Sequence, residues 1–426
     1  MRNVTRYLLW AYVFTVPWDN FALPLVGTVS RAFGLAVVGA AALTIAAKGR
    51  IRRPDAVLGF AIAFTVWSVL SLMWTLSYEI TVVMVTTYAQ CAASVWVIRE
   101  LVRTREEVER LLEALLFGLF VPMTSVLNNF RLGAGSAGDV QRFTGVGLNA
   151  DFVGLLLVFG LPIAWHLIMQ RRGIVRGAAL IYLATVPVAL LLTATRGALV
   201  AGLAAAAIVP LTLFRQSSLR PYALTGVLLI VGLLAAVLFV PRYNWERMGS
   251  TVGELSGEGD ETGTMLGRMR LWSYGLQAFP QRPLLGAGAG AYGAAVDSYL
   301  RSNGRYINPH NVWVGLLVEE GIIGLLLFAG IFGASAWTIF RSPPPYGALW
   351  AVLLLTWLVG GMSGNPETQK FSWVLFGLVS SQSGLAKTVT GLARRPQAYR
   401  SGNSATGTMQ HGPNAAGVVT QTAAIQ

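Results

Sequence analysis

The stretch NPHNVWVGLLVEEGIIGLLLF, residues 308–328, sets a histidine at the head of an apolar run and two glutamates, Glu319 and Glu320, inside it. An imidazole titrates near pH 6.5, so His310 can take or give a proton at ordinary pH. The plainer alternative is a helix-capping or interfacial histidine, and Asn308 and Pro309 just ahead of it fit a helix start. The glutamates are costly in such a run: an acid at the centre of a membrane helix costs about 2.5 to 3.5 kcal/mol, which calls for a partner or a wet cavity. If 310–340 is one straight helix, Gly321 lies about 20° and Gly324 about 40° from His310 around the axis, on a face of small residues that another helix can approach. Glu319 then falls on the opposite face, about 13.5 Å deeper, out of reach of a direct proton relay. The expectation is that Glu319 braces the bundle, protonated or bonded to a neighbour, with Gly321 and Gly324 as structural positions.

Arginines are the second element. TATRGALVAG (193–202) places Arg196 at a turn between two apolar runs, GDVQRFTGVGLNADFVG (138–154) places Arg142 just before another, and GRMRLW supplies Arg268 and Arg270. A guanidinium stays charged and matches phosphate with paired donors, so a ring of them makes a diphosphate clamp. Taken singly, each arginine could instead snorkel or pair with Asp139, Glu246 or Glu261. Trp272 and Asn311, beside Arg270 and His310, complete the candidate substrate contacts.

What must position these residues is a membrane bundle. The chain has 426 residues, 54% hydrophobic and 12% charged, with a mean hydropathy of +0.58, where a soluble domain carries about 25% charged residues. Twelve apolar segments occur, at 7–26, 31–47, 56–74, 80–98, 111–130, 149–169, 178–194, 197–214, 222–240, 310–340, 347–363 and 371–388. A crossing helix needs roughly 20 residues, so the expected fold is all-α and polytopic, with about 12 transmembrane helices and one structured loop at 241–309. VPWDNFALP predicts a bent or re-entrant first span, and the tenth segment is long enough to begin above the membrane surface or to tilt. The basic start MRNVTRYLLWAYVF is followed by no small-residue cleavage site and reads as a retained first span. With the N-terminus in the cytoplasm, 20 of the 32 Lys and Arg residues fall inside and 12 outside, seven of the latter within 241–309. That satisfies the positive-inside rule with both termini cytoplasmic, and puts His310 and the four arginines outside.

Within the loop, TGTMLGRMRLWSYGLQAF predicts an amphipathic helix with Leu266, Met269, Trp272, Leu276 and Phe279 near one face. Pro283 and the run LLGAGAGAYG end it, and a second short helix around 294–302 leads to NGRYINPHN. Residues 99–113, with Glu106, Glu107 and Glu109 among arginines, predict a helix on the cytoplasmic surface with a solvated charged face. Residues 1–386 form the bundle, and the small, polar, aperiodic tail 387–426 is expected to be disordered.

The net charge of +13 lies mostly in short loops, so it serves topology before any nucleic acid. The single cysteine, Cys91, excludes an internal disulfide and a cysteine-based metal cluster. No G-x-x-x-x-G-K-[ST] occurs, and GAGAGAYG lacks the strand–helix unit of a dinucleotide site. No acid or histidine set has metal-ligand spacing, so metal-independent chemistry without a cofactor is expected.

TRGALVAG, GRMRLW…PQRPLLGAGAGAYG and PHNVWVGLLVEEGIIG, in this order and spacing, resemble the O-antigen ligase and polymerase superfamily of bacterial inner-membrane proteins, and RFTGVGLNADF is similar to an upstream segment common there. The resemblance covers residues 140–330. It implies a GT-C-like glycosyltransferase that moves a glycan from undecaprenyl diphosphate to a hydroxyl on the periplasmic face, the acceptor being lipid A–core or another lipid-linked glycan. His310 would be base or positioner for the acceptor hydroxyl, Arg196 and Arg268 would hold the diphosphate, and Arg142 is a further candidate by position. An O-antigen ligase comes first and an O-antigen or exopolysaccharide polymerase second, since these motifs do not separate them; the short tail argues against a protein acceptor. A reading of another class is a transporter or flippase for a lipid-linked glycan, using the intramembrane acids and outer arginines. Against it, the two halves show no repeat and the distinctive residues concentrate on one side.

Overall fold

The computed structural model describes residues 2–20, 22–23, 27–135, 142–213, 220–249, 265–300 and 306–393. Its helices are α1 (Arg2–Thr15), α2 (Val29–Lys48), α3 (Ala56–Leu70), α4 (Tyr78–Leu101), α5 (Arg105–Arg131), α6 (Ala150–Gln170), α7 (Gly173–Leu192), α8 (Arg196–Ala206) and α9 (Ile208–Leu213). They continue as α10 (Arg220–Phe239), α11 (Arg242–Gly249), α12 (Met265–Ala278), α13 (Tyr292–Ala295), α14 (Asp297–Leu300), α15 (Val312–Glu319), α16 (Gly321–Phe340), α17 (Tyr346–Gly361) and α18 (Lys370–Ala393). Among the described residues the only ladder is a two-residue antiparallel one, β1 (Ala22–Leu23) with β2 (Gly27–Thr28).

Each of the twelve apolar segments lies at least in part on a helix, the first only as far as α1 reaches. Eight helical stretches are long and apolar enough to cross a membrane, α8 and α9 counting as one, while α17 and part of α10 are shorter apolar helices. The protein is an all-α, multi-pass membrane protein. Local chemistry starts several of these helices: the side chains of Thr28, Asp55, Thr104, Asn149 and Asn311 each accept a first-turn N–H, of α2, α3, α5, α6 and α15 in turn. Each such cap is worth about 1 kcal/mol.

Among the eight, α6 is the hub, with 83% of its span buried inside the protein against 17–56% for the others. Lipid tails are as apolar as leucine, so helices in a bilayer associate through close packing, and glycines set where that is closest. A Cβ on Gly154 of α6 would lie 2.9 Å from Ala198 Cβ and 3.1 Å from Thr195 Cβ. This glycine therefore seats the start of α8 directly on the start of α6. Farther along, Gly160 admits Tyr182 of α7, whose hydroxyl donates to Leu157 O at 2.7 Å.

Several expectations change. The tenth segment is two helices, α15 and α16, broken at Glu320 and Gly321, where Gly321 takes φ +67°. The bare Cα of Gly321 lets the Leu284 carbonyl into the break, and Ile322 N–H donates to Pro283 O at 2.9 Å. A straight-helix projection from His310 therefore does not apply, and Gly321 marks a hinge in the backbone rather than a packing face. Gly324 does admit a helix: a Cβ there would lie 3.0 Å from Trp67 of α3, whose indole donates to Glu320 O at 2.9 Å.

The first segment breaks where Pro17 predicts, α1 giving way to a 3-10 turn at Val16–Trp18. Instead of one helix at 294–302 there are the single turns α13 and α14, parted at Val296. The acids of 99–113 do not lie on a solvated surface helix, because α5 starts at Arg105 and runs unbroken to Arg131. α1, α6 and α17 close on its first turns. Glu107 takes Arg6 at 2.5 Å, and buried Glu109 accepts from Tyr346 at 2.7 Å and bonds His166 Nε2 at 2.8 Å, while Glu106 stays exposed with Arg171 and Arg110. In the expected tail, α18 runs on to Ala393, and residues 394–426, with His411, lie outside the described residues.

Candidate active site

At the other end of the bundle from the Glu109 cluster, the connections between helices tie to one another. Phe143 N–H donates to Leu192 O at 3.0 Å, Asn20 Nδ2 to Gly147 O at 2.9 Å, and Asn244 Nδ2 to Leu191 O at 3.0 Å. The centre of this end is Asp151, in the first turn of the hub helix α6, where Asn149 Oδ1 accepts its N–H at 2.7 Å. A carboxylate is favoured there by the positive end of the helix.

Asp151 Oδ1 accepts from Arg142 Nη2, and Asp151 Oδ2 accepts from Arg268 Nη2 at 2.9 Å. Arg142 also donates from Nε to Thr193 O at 3.1 Å and from Nη2 to Thr195 Oγ1 at 3.0 Å. Arg268 reaches back from α12 to Ser363 O at 3.2 Å. One carboxylate thus joins the loop before α6, the turn before α8 and the loop helix α12. Asp139 and Glu261, two of the alternative partners read from the sequence, lie outside the described residues, and Asp151 takes both Arg142 and Arg268.

Arg196 opens α8 immediately after Thr195. The next residue, Gly197, is bare toward Ser363, where a Cβ would sit 2.7 Å from Ser363 Cβ. The backbone of Arg196 therefore stands beside the residue that Arg268 holds. Arg270, two residues on from Arg268, is exposed.

His310 sits half-buried in the corner before α15, and its surroundings specify an unusual backbone. Its φ is +51°, in the left-handed region, with its N–H donated to Asn308 Oδ1 at 2.8 Å. On one side Trp272 Nε1 of α12 donates to Pro309 O at 2.7 Å, and on the other Asn311 caps α15 by accepting from Trp313 and Val314. Trp272 and Asn311 thus hold the histidine from both flanks. The imidazole lies in the field of Arg268, Asp151 and Arg142. Burial first, then Arg268 and Arg142, push it below its ordinary pKa, and Asp151 pulls the other way, so it is neutral at pH 7.

Among the described residues, three non-glycine positions have positive φ: Val146 (+51°), Ala194 (+49°) and His310 (+51°). Each lies in a connection at this end. Such residues cost of order 1–3 kcal/mol and persist only where the surroundings over-determine them, so all three connections are held by their surroundings.

Glu319 and Glu320 explain how α12 is held. The run 283–291 threads between the α3–α4 corner and the α15–α16 break: Leu76 N–H donates to Ala287 O, Ala287 N–H to Val318 O and Gly288 N–H to Glu319 O, at 2.8–2.9 Å. Gly290 N–H donates to Glu319 Oε2 at 3.1 Å, and Ser68 donates to Glu320 Oε1 at 2.7 Å. Glutamine at 319 keeps an acceptor for Gly290, so Glu319→Gln should lower thermal stability or yield while activity per folded molecule holds. A stable but inactive variant would contradict this bracing role. Among the described residues no three His, Cys, Asp or Glu side chains are grouped to hold a metal ion.

The arrangement defines a class first: a multi-pass helical membrane protein with guanidinium groups, one carboxylate and a neutral imidazole gathered at one end. Residues 178–329 match the sequence model of the family described as O-antigen ligase. An O-antigen ligase of Pseudomonas aeruginosa is 29% identical over 201 residues, covering 46% of this chain and 43% of that protein. The match spans less than half of the curated relative. Both findings show a likeness to O-antigen ligases over part of this chain, and the resemblance read from its motifs is borne out. Arg196, Arg268, His310 and Glu319 lie within the matched segment; Arg142, Asp151 and Ser363 do not.

Asp151 is the residue that sequence reasoning missed. A signal was present: an Asn-Ala-Asp helix start begins seven residues after Arg142. Asking which carboxylate neutralises the arginines would have pointed to it.

Proposed function

We propose that the protein is a glycosyltransferase that moves a glycan from undecaprenyl diphosphate to an acceptor hydroxyl, acting as an O-antigen ligase on lipid A–core. The carrying observation is the joining of Arg142, Asp151 and Arg268 beside His310. Neutral His310 takes the acceptor's proton as its oxygen attacks the anomeric carbon. The bond from that carbon to the diphosphate oxygen breaks, and Arg268 with Arg196 stabilises the departing diphosphate in place of a metal ion. Such preorganised charge needs no rearrangement as the leaving group develops.

The twelve helical segments act as about twelve spans of a GT-C-like bundle in the bacterial inner membrane. Both termini are cytoplasmic, and the site is periplasmic. Ligase names on both comparisons favour this reading over a polymerase. The acids that a transporter would need are engaged within the protein, Glu319 with Gly290 and Glu320 with Ser68.

The test is a reconstituted assay with a lipid-diphosphate glycan donor, lipid A–core and lipid-linked glycan as competing acceptors, and chelator throughout. Transfer to lipid A–core is expected; transfer only to the lipid-linked glycan would make it a polymerase. A null mutant should leave long polymer on the carrier and bare core, whereas a polymerase mutant would leave single repeat units. Arg196→Ala should abolish transfer while expression and folding persist, as read by activity per folded molecule.

A further inference from the structure

Asp151 stands where a substrate anion would be expected, between two guanidinium groups, and it is nevertheless part of the protein. Its geometry distinguishes two kinds of arginine. Arg142 spends Nε and Nη2 on Thr193, Thr195 and Asp151, all within neighbouring connections. It is an anchor. Arg268 comes from a different element, the loop helix α12, and meets the bundle through Asp151 and the Ser363 carbonyl. Asp151 in turn belongs to the most buried of the spanning helices.

We propose that Asp151 is a positioning residue for the transfer reaction: anchored by Arg142, its carboxylate sets Arg268 for the donor diphosphate and fixes the charge that His310 experiences. The inference rests on the glycosyltransferase reading and adds a role for a residue outside the segment matched to the family. It also reassigns Arg142 from substrate contact to support.

The physical basis is that two guanidinium groups aimed at one anion repel each other until the anion arrives. A resident carboxylate removes that repulsion, so the clamp is formed before the donor binds. Two arginines with one carboxylate still carry net positive charge, so a diphosphate is drawn to Arg268 without expelling Asp151. Misplacement of such a clamp by about 1 Å costs on the order of 10²-fold in rate. Among the described residues, the charged groups acting on His310 are Arg268 from α12, Asp151 from α6 and Arg142 from the loop before α6. Of these only Asp151 favours the protonated imidazole. Removing its charge therefore lowers the pH at which His310 protonates, and the acid limb of the rate profile moves to lower pH.

The experiment uses the full-length purified protein, with a lipid-diphosphate glycan donor and inorganic pyrophosphate as competing anion. Asp151→Asn is expected to raise the donor KM and the pyrophosphate inhibition constant by roughly tenfold or more. Its acid limb should shift to lower pH, which a purely structural defect would not produce. Asp151→Glu keeps the charge, so its acid limb should stay near that of the unmodified protein even if its rate falls, and it serves if the asparagine variant fails to fold. Unchanged inhibition and an unchanged acid limb in Asp151→Asn would overturn the proposal, as would an acid limb in Asp151→Glu displaced to lower pH. Absence of turnover and of pyrophosphate inhibition in the unmodified protein would instead sink the glycosyltransferase reading itself.

Discussion

His310→Ala should yield a folded, membrane-inserted protein with glycan transfer reduced by 10²- to 10⁴-fold, the usual contribution of a positioned general base. Folding should survive because the histidine's backbone, rather than its ring, is what the surroundings hold. Asn308 accepts the His310 N–H, Trp272 fixes the Pro309 carbonyl and Asn311 caps α15. None of these contacts involves the imidazole. Alanine at φ +51° is somewhat strained, as histidine is, so the thermal midpoint should move little.

The pH profile supplies a second reading of the same group. Burial and the nearby arginines lower the His310 pKa. A base works in its neutral form, so the rate should be flat through neutral pH and fall only as pH drops below the ordinary imidazole value. A limb centred above pH 6.5 would contradict this, because it would require the ring to be held charged. Near-normal turnover by purified His310→Ala would remove the base assignment altogether.

The second large effect concerns Arg268. Arg268→Ala removes a donor aimed at the leaving diphosphate and also unties α12 from Asp151 and Ser363. Loss of one such preorganised electrostatic contact typically costs 10²- to 10³-fold in turnover. The detachment of α12 adds to this, because Trp272 of the same helix steadies the His310 corner. Arg268→Lys separates the two contributions. A lysine keeps the charge but has no planar fork to span Asp151 and Ser363 together, so it should recover only part of the activity. Single-turnover measurements with bound donor read the chemical step directly. If Arg268→Ala kept its single-turnover rate within threefold, the guanidinium would have no part in the departure of the diphosphate.

Much of this was legible along the chain. The run TATRGALVAG identified Arg196 at a turn, GRMRLW placed Arg268 on a helix observed at Met265–Ala278, and NPHN put His310 at a helix start. Those are local signals, set by hydropathy, periodicity and capping within a few residues. Glu319 was read as a brace, and its bond to Gly290 fits that role, but the projection behind the reading was not the reason. The projection assumed an unbroken helix, and the break at Gly321 arises because the Leu284 carbonyl approaches from a different element. Glu109 was misread in the same way: a charged face looks solvated until His166 and Tyr346, 57 and 237 residues away, close over it.

By itself, then, the chain determined a multi-pass helical protein, the distribution of its basic residues and the three motifs on which the proposed chemistry rests, because each depends on transfer free energy or backbone preference summed over a short window. Tertiary structure decided which carboxylate pairs with Arg142 and Arg268, and why the histidine holds a left-handed backbone. Those outcomes depend on groups arriving from 9 to 117 positions away, as Arg142 and Arg268 do at Asp151. Charge pairing at such separations is set by how helices pack around α6, and no local property of the residues involved encodes it.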